Sequence, residues 1–136
     1  MDYILNRKVQ EARKYHIKTY VEVLVPSQLN ISEDTLCTII MNLLDNAIEA
    51  AKQVPETRER KIEVLFTSKN ECAIMHIKNS VIENIDHNQP LGTTKKDKKR
   101  HGIGMMSMQN AVSKYGGTME WKCQNYEFHL IVALPI

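Results

Sequence analysis

Thr38-Ile39-Ile40-Met41-Asn42-Leu43-Leu44-Asp45-Asn46-Ala47-Ile48-Glu49-Ala50-Ala51 is the stretch on which the fold turns. Stepped at about 100° per residue, a helix through it spreads Leu36, Ile39, Ile40, Leu43, Leu44, Ala47, Ile48 and Ala51 over an arc from roughly 60° to 240°, counted from Asn42. On the remaining arc Asn46 falls at roughly 40°, Glu49 at roughly −20° and Asp45 at roughly −60°. The helix therefore has one broad apolar face and one narrow polar stripe. A solvated surface would explain the stripe if it were built of Lys, Glu or Gln. Asparagine is a poor helix former, and two asparagines one turn apart set two carboxamide oxygens in register. Such a pair suits a hard cation, or the oxygens and water shell of a magnesium–phosphate group.

Upstream, the helix has an entry at Asn30 to Ser32, where Ser32 is a residue type that caps and Glu33 and Asp34 suit the positive end of the helix dipole. It should run to about Lys52 or Gln53 and stop before Pro55. Before it, Lys18 to Val25 reads as a strand stopped by Pro26, and Asp2 to Tyr15 as a helix with Ile4, Leu5, Val9 and Ala12 at helical spacing. Downstream, Lys61 to Ser68 and Cys72 to Asn79 read as strands joined by a turn at Lys69, Asn70 and Glu71. A polar stretch from Ser80 to His101 follows without any period, and loops of that length inside a domain are usually functional or disordered. Gly102 to Tyr115 becomes a helix closed by Gly116-Gly117, and Thr118 to Cys123 and Phe128 to Leu134 form an antiparallel pair. This order predicts an α+β two-layer sandwich, with three helices on one face of a sheet of about five strands.

The bulk numbers fit one domain: 136 residues, 43% hydrophobic, 25% charged, formal net charge +2. Cys37, Cys72 and Cys123 lack metal-ligand spacing and read as reduced, largely buried thiols of a cytosolic protein. No signal peptide is evident, and no apolar run approaches the roughly 20 residues that a bilayer crossing needs. Positive charge gathers at Lys95, Lys96, Lys98, Lys99, Arg100 and His101, directly before Gly102-Ile103-Gly104 and a helix. Glycines at a helix N-terminus let free N–H groups approach an anion, so this junction reads as a phosphate cradle. A mobile solvated loop is the plain alternative. A nucleic-acid patch is disfavoured, because no aromatics interleave the run and the rest of the chain is not basic.

Together these residues resemble the GHKL superfamily of gyrase, Hsp90, histidine kinases and MutL, over nearly the whole chain from Ile17 to Ile136. Asn42-Leu43-Leu44-Asp45-Asn46-Ala47 looks like the histidine-kinase N box, and His101-Gly102-Ile103-Gly104-Met105 like the second glycine box. Gly116-Gly117 and Val132-Ala133-Leu134-Pro135 also match. The ending Asn46-Ala47-Ile48-Glu49-Ala50, with Thr94-Lys95, is similar to the peptide-pheromone receptor kinases of bacterial quorum sensing. The resemblance implies a Bergerat-type fold binding ATP and Mg2+, with residues 1–16 ending a linker helix, 17–136 the catalytic domain, and a lid over about 81–101. By resemblance, Asn46 is the magnesium ligand and Asn42 the catalytic-position residue. Asn42, Asn46, Glu49, Asn79, Lys95, Arg100, His101, Gly102, Ile103, Gly104 and Met105 would line the nucleotide site. The partners implied are a dimerisation hairpin carrying the acceptor histidine and a downstream response regulator. The setting implied is the cytoplasmic side of a bacterial membrane receptor, with no membrane insertion by this chain.

Asn42 stands where the ATPase members keep a glutamate that activates water. A neutral imidazole is already a nucleophile and needs no base, so an amide here fits transfer to histidine better than hydrolysis or transfer to serine. The sequence also departs from the family's first glycine box, Asp-x-Gly-x-Gly: Asn79-Ser80-Val81-Ile82-Glu83 stands there. Asn79 can still accept from the adenine amine and donate to the neighbouring ring nitrogen. Asn125-Tyr126-Glu127-Phe128 replaces the usual Gly-Thr near the last strand. Of the five histidines, His16 reads as a helix-end residue and His76 and His129 as structural strand residues, so the chain is expected not to phosphorylate itself. Two rival readings remain open: an ATPase or anti-sigma-type serine kinase on the same fold, and a degenerate docking module.

Overall fold

The computed structural model describes residues 2–25, 30–84 and 108–136. Helix α1 spans Asp2–Lys14, strand β1 Lys18–Leu24 and helix α2 Glu33–Lys52. Strands β2 (Lys61–Lys69) and β3 (Cys72–Ser80) follow. Residues 108–114 are helical (α3), and β4 (Thr118–Gln124) and β5 (Glu127–Pro135) complete the chain. The five strands lie in the order β1-β2-β3-β5-β4. Only β1 and β2 are parallel; the other neighbours are antiparallel. A parallel pair needs a crossover, and α2 provides it. The expected α+β sandwich, with helices on one face of a mixed sheet, is the architecture found.

Strand alternation shows which face is covered. In β3, Ala73, Met75, Ile77 and Asn79 are buried, while Cys72, Ile74, His76, Lys78 and Ser80 are only half-buried. Ile62, Val64 and Phe66 of β2 and Leu130, Val132 and Leu134 of β5 share the inner side. They pack against Leu36, Ile39, Ile40, Leu43, Leu44, Ala47, Ile48 and Ala51, the eight positions that the 3.6-residue period assigns to the inner arc. Leu5 and Ala12 of α1 and Met108 and Val112 of α3 close the same core.

Local closures position these elements. Arg60 donates to three carbonyls at once: Val54 (2.6 Å), Tyr15 (2.6 Å) and Lys52 (2.8 Å). One guanidinium thus satisfies the ends of α1 and α2, whose last carbonyls have no partner within the helix. Ser32 is the N-cap of α2, but its hydroxyl makes no capping bond, which corrects the capping role expected of it. The α1 helix ends in a Schellman arrangement, His16 N to Arg13 O and Ile17 N to Ala12 O, with His16 at φ 59° where glycine usually stands. The α3 end repeats the arrangement with Gly116 at φ 85°. The β2–β3 turn comprises Asn70 and Glu71, both at positive φ, as a two-residue type I′ turn requires.

At Gly117 a side chain has no room: a Cβ would run into the Ala133 carbonyl oxygen and crowd Leu134 and Val112. Gly117→Ala should therefore cost about 1–3 kcal/mol through overpacking, read as a lower denaturation midpoint at unchanged m-value. An unchanged midpoint would show that α3 does not sit tightly on β5.

Candidate functional site

Helix α2 connects parallel β1 and β2 and packs on β3 and β2, and Asn79 lies at the end of β3 that pairs with Ile62 at the start of β2, just after α2 has ended. Tyr115 donates its hydroxyl to Asn30 O at 2.9 Å, which places the end of α3 beside the entry to α2. Asn42 and Asn46 are half-buried on α2. Asn79 is buried, on the inner face of the central strand. Asn42, Asn46 and Asn79 are therefore carried by two packed elements, α2 and β3.

The polar stripe of α2 is not uniform. Asp45 forms an ion pair with Lys8 of α1, and Lys8 also reaches Glu11 at 3.1 Å. Burial is the largest single influence on Lys8 and opposes its charge, but the hydrogen bonds to Asp45 and Glu11 prevail and hold its pKa above the ordinary value. Glu49 pairs with Lys52 at 2.6 Å. Both carboxylates of the stripe are thus engaged by lysines, and the amides of Asn42 and Asn46 lie beside them on the same polar face.

Asn79 donates through Nδ2 to the Ser80 carbonyl at 3.1 Å. One of its two N–H bonds is used in this way. The other, and the carbonyl oxygen, give the donor and acceptor that an adenine edge requires. A carboxamide oxygen is a hard neutral ligand of the kind magnesium accepts alongside phosphate oxygens and water, and Asn46 fits that chemistry. Among the described residues no cluster of three or more His, Cys, Asp or Glu is arranged to hold a metal. Lys95, Arg100, His101, Gly102, Ile103, Gly104 and Met105 lie outside the described residues, as does most of the expected lid.

The root of that segment is described, and it holds contacts that sequence reasoning missed. Arg58 donates through Nη2 to Val81 O at 3.0 Å and through Nη1 to Ile82 O at 3.1 Å. Its guanidinium lies 4.8 Å from the centre of the Tyr126 ring. The β4–β5 turn comprises Asn125 and Tyr126, both at positive φ. Tyr126 O accepts from Val81 N at 3.1 Å, and Tyr126 N donates to Asn84 Oδ1 at 2.8 Å. Arg58 and Tyr126 are far apart in sequence, and no periodicity links them.

The cysteines form no disulfide, as expected, but are half-buried rather than largely buried. Among the described residues no helix is long and apolar enough to cross a membrane. His76 and His129 are strand residues, as the sequence suggested, and they are linked. His129 Nε2 meets Glu127 Oε1 at 2.7 Å, and His76 Nε2 lies 3.3 Å from His129 Nδ1. A consistent proton arrangement has His129 donating to Glu127 and accepting from His76.

The sequence matches the GHKL domain family model over residues 32–135, and the chain belongs to that family. Among solved structures the fold is similar to the catalytic domain of the histidine kinase ThkA (TM-score 0.74, 17% identity, covering 99% of this chain and 91% of that one). It is also similar to the mycobacterial sensor histidine kinase MprB (TM-score 0.70, 19% identity, 99% and 95% covered). The Acinetobacter baumannii histidine kinase AdeS matches at TM-score 0.65 and 13% identity, with 98% of this chain covering 64% of that one. No curated protein sequence matches the chain.

Burial first, then the electrostatic influence of neighbouring Lys78, His129 and Lys122, holds the His76 pKa below its ordinary 6.5. A lowered folded pKa means that the unfolded chain binds the proton more readily. Stability should therefore be highest above about pH 6.5 and fall as the pH drops below it, until the folded pKa is passed. Denaturation across pH 5–8 should show this decline, and His76→Gln should flatten it; an equally steep decline in His76→Gln would assign it to other groups.

Proposed function

We propose that this GHKL domain is the ATP-binding catalytic domain of a two-component sensor histidine kinase, donating the γ-phosphoryl group to a histidine on a separate dimerisation hairpin. The observation that carries the reading is the state of the α2 stripe. Its two carboxylates are engaged by Lys8 and Lys52, while the half-buried Asn42 and Asn46 sit on the helix that packs beside buried Asn79. In this reading Asn79 orients adenine through its amide, and Asn46 holds magnesium. Bound there, magnesium would neutralise charge on the transferring phosphate. Asn42 provides a hydrogen-bonding amide and no base. An attacking water or serine would need a base at that position, and a neutral imidazole would not. In the transfer, the bond from the γ-phosphorus to the bridging oxygen breaks, a phosphorus–nitrogen bond forms, and ADP leaves. The protein contributes position and fixed dipoles rather than covalent chemistry.

The finer parts of the proposal rest on the sequence. Gly102, Ile103, Gly104 and Met105 would present amides to the phosphates, with Lys95, Arg100 and His101 as charge partners and Glu49 bordering the site. Asn46 to Ala50 and Thr94-Lys95 support a peptide-pheromone receptor as the parent, which would place the domain on the cytoplasmic side of a bacterial membrane. Residues 1–16 would then be the end of the helix arriving from the hairpin, and a response regulator would take the phosphate onward.

Calorimetry with ATP and magnesium should show binding by the unaltered chain. Asn46→Ala should weaken binding about tenfold or more, roughly 1.4 kcal/mol, chiefly by removing its magnesium dependence. Equal magnesium-dependent affinity in the two proteins would remove Asn46 from the metal. No heat with the unaltered chain would favour a docking module.

A further inference from the structure

The first glycine box of the family is replaced here by Asn79-Ser80-Val81-Ile82-Glu83, which contains no glycine. Backbone next to a ligand must still be held in one shape. In this structure the holding is done from outside the segment, by the Arg58 side chain and by the backbone of the β4–β5 turn at Tyr126. Arg58 comes from the turn after α2, where its own N–H donates to Pro55 O at 2.9 Å. It spans the carbonyls of two consecutive residues, Val81 and Ile82, with the two arms of its fork. The same guanidinium lies against the Tyr126 ring, and the Tyr126 backbone holds Val81 N and Asn84 Oδ1. The contacts these two residues make to the segment all fall within five residues after Asn79, at Val81, Ile82 and Asn84, and Val81 is itself buried.

We infer that Arg58 and Tyr126 form a clasp that fixes residues 80–84 and thereby sets the orientation of Asn79 toward the adenine edge. Arg58 is a positioning residue for base recognition, not a phosphate ligand. The inference rests on the nucleotide-binding reading above. The chemistry supports Arg over Lys at this position. A planar fork can donate to two adjacent carbonyls and stack on a ring at the same time, whereas an ammonium is a point charge. Asn79 already spends one N–H on the Ser80 carbonyl, so a change in the path of residues 80–82 would turn its amide.

The test is the ratio of ATP to GTP affinity, measured by calorimetry on the whole chain at fixed magnesium, with circular dichroism and melting confirming a folded protein. Arg58→Ala should lower the ATP preference about tenfold, mainly by weakening ATP, and Arg58→Lys should not restore it. Tyr126→Phe keeps the ring and should match the unaltered chain, while Tyr126→Ala should behave like Arg58→Ala. A general loss of packing would weaken both nucleotides equally and leave the ratio unchanged. An unchanged ratio in a folded Arg58→Ala protein that still binds ATP overturns the clasp alone. Absence of ATP binding by the unaltered chain overturns the nucleotide reading and the clasp with it.

Discussion

Burial of one broad face of α2 against the sheet is the constraint on which the rest depends. Eight apolar side chains of this helix lie in the core, and they meet the inner faces of β2, β3 and β5. Because α2 is also the crossover between parallel β1 and β2, its direction is fixed, and so is the end of the sheet that its C-terminal half approaches. Rotating α2 by one residue would bury Asn42 or Asp45 and expose a leucine. The polar stripe is therefore held in place by packing on the opposite face, without needing contacts of its own.

Ion pairs then divide the stripe. The Lys8–Asp45 pair ties α1 to α2, and the Glu49–Lys52 pair lies along α2 itself. An unpaired carboxylate beside a phosphate would repel it, and engagement by lysine lessens that repulsion. Arg60 acts at the same end of the molecule, where it gathers the carbonyls that close α1 and α2. The carboxylates beside the candidate site are thus paired with Lys8 and Lys52, and Asn42 and Asn46 add neutral amides to the same face. Neutral amides without a base match transfer to an acceptor that is nucleophilic in its own right.

Much of the fold was legible in the sequence, because hydrophobic period reports burial directly. The period of α2 identified all eight inner residues, and the strand at Cys72 to Asn79 was placed to within a residue. Strand ends shifted by a residue or so, as at Ser80 and Gln124, because ladder bonds continue past the point where the apolar pattern stops. What sequence could not show are contacts made across long separations by residues with no pattern. His129 meets His76, Arg60 meets Tyr15, and Arg58 meets Val81 only after the sheet has assembled. Positive φ at residues other than glycine did not hide the helix end at His16 or the turn at Asn70 and Glu71, both of which the sequence indicated. His16, Asn70, Glu71, Asn125 and Tyr126 all adopt positive φ without being glycine, and the turns they form carry none of the usual glycine signals. At the candidate site the choice of amides singles out Asn42 and Asn46 in the sequence, whereas the pairing of Asp45 and Glu49 with lysines and the contacts of Arg58 and Tyr126 on residues 81–84 leave no sequence signal.

The departure from the family pattern after Asn79 and the arrangement of α2 bear on one central claim, that this domain positions ATP for attack by a histidine. The most direct measurement mixes the domain with γ-labelled ATP, magnesium and a candidate acceptor-histidine hairpin, and follows the label. Acid-labile, alkali-stable label on the hairpin, lost with Asn46→Ala, is the predicted result. Steady release of free phosphate with no label on the hairpin, or acid-stable label on a serine, would contradict it.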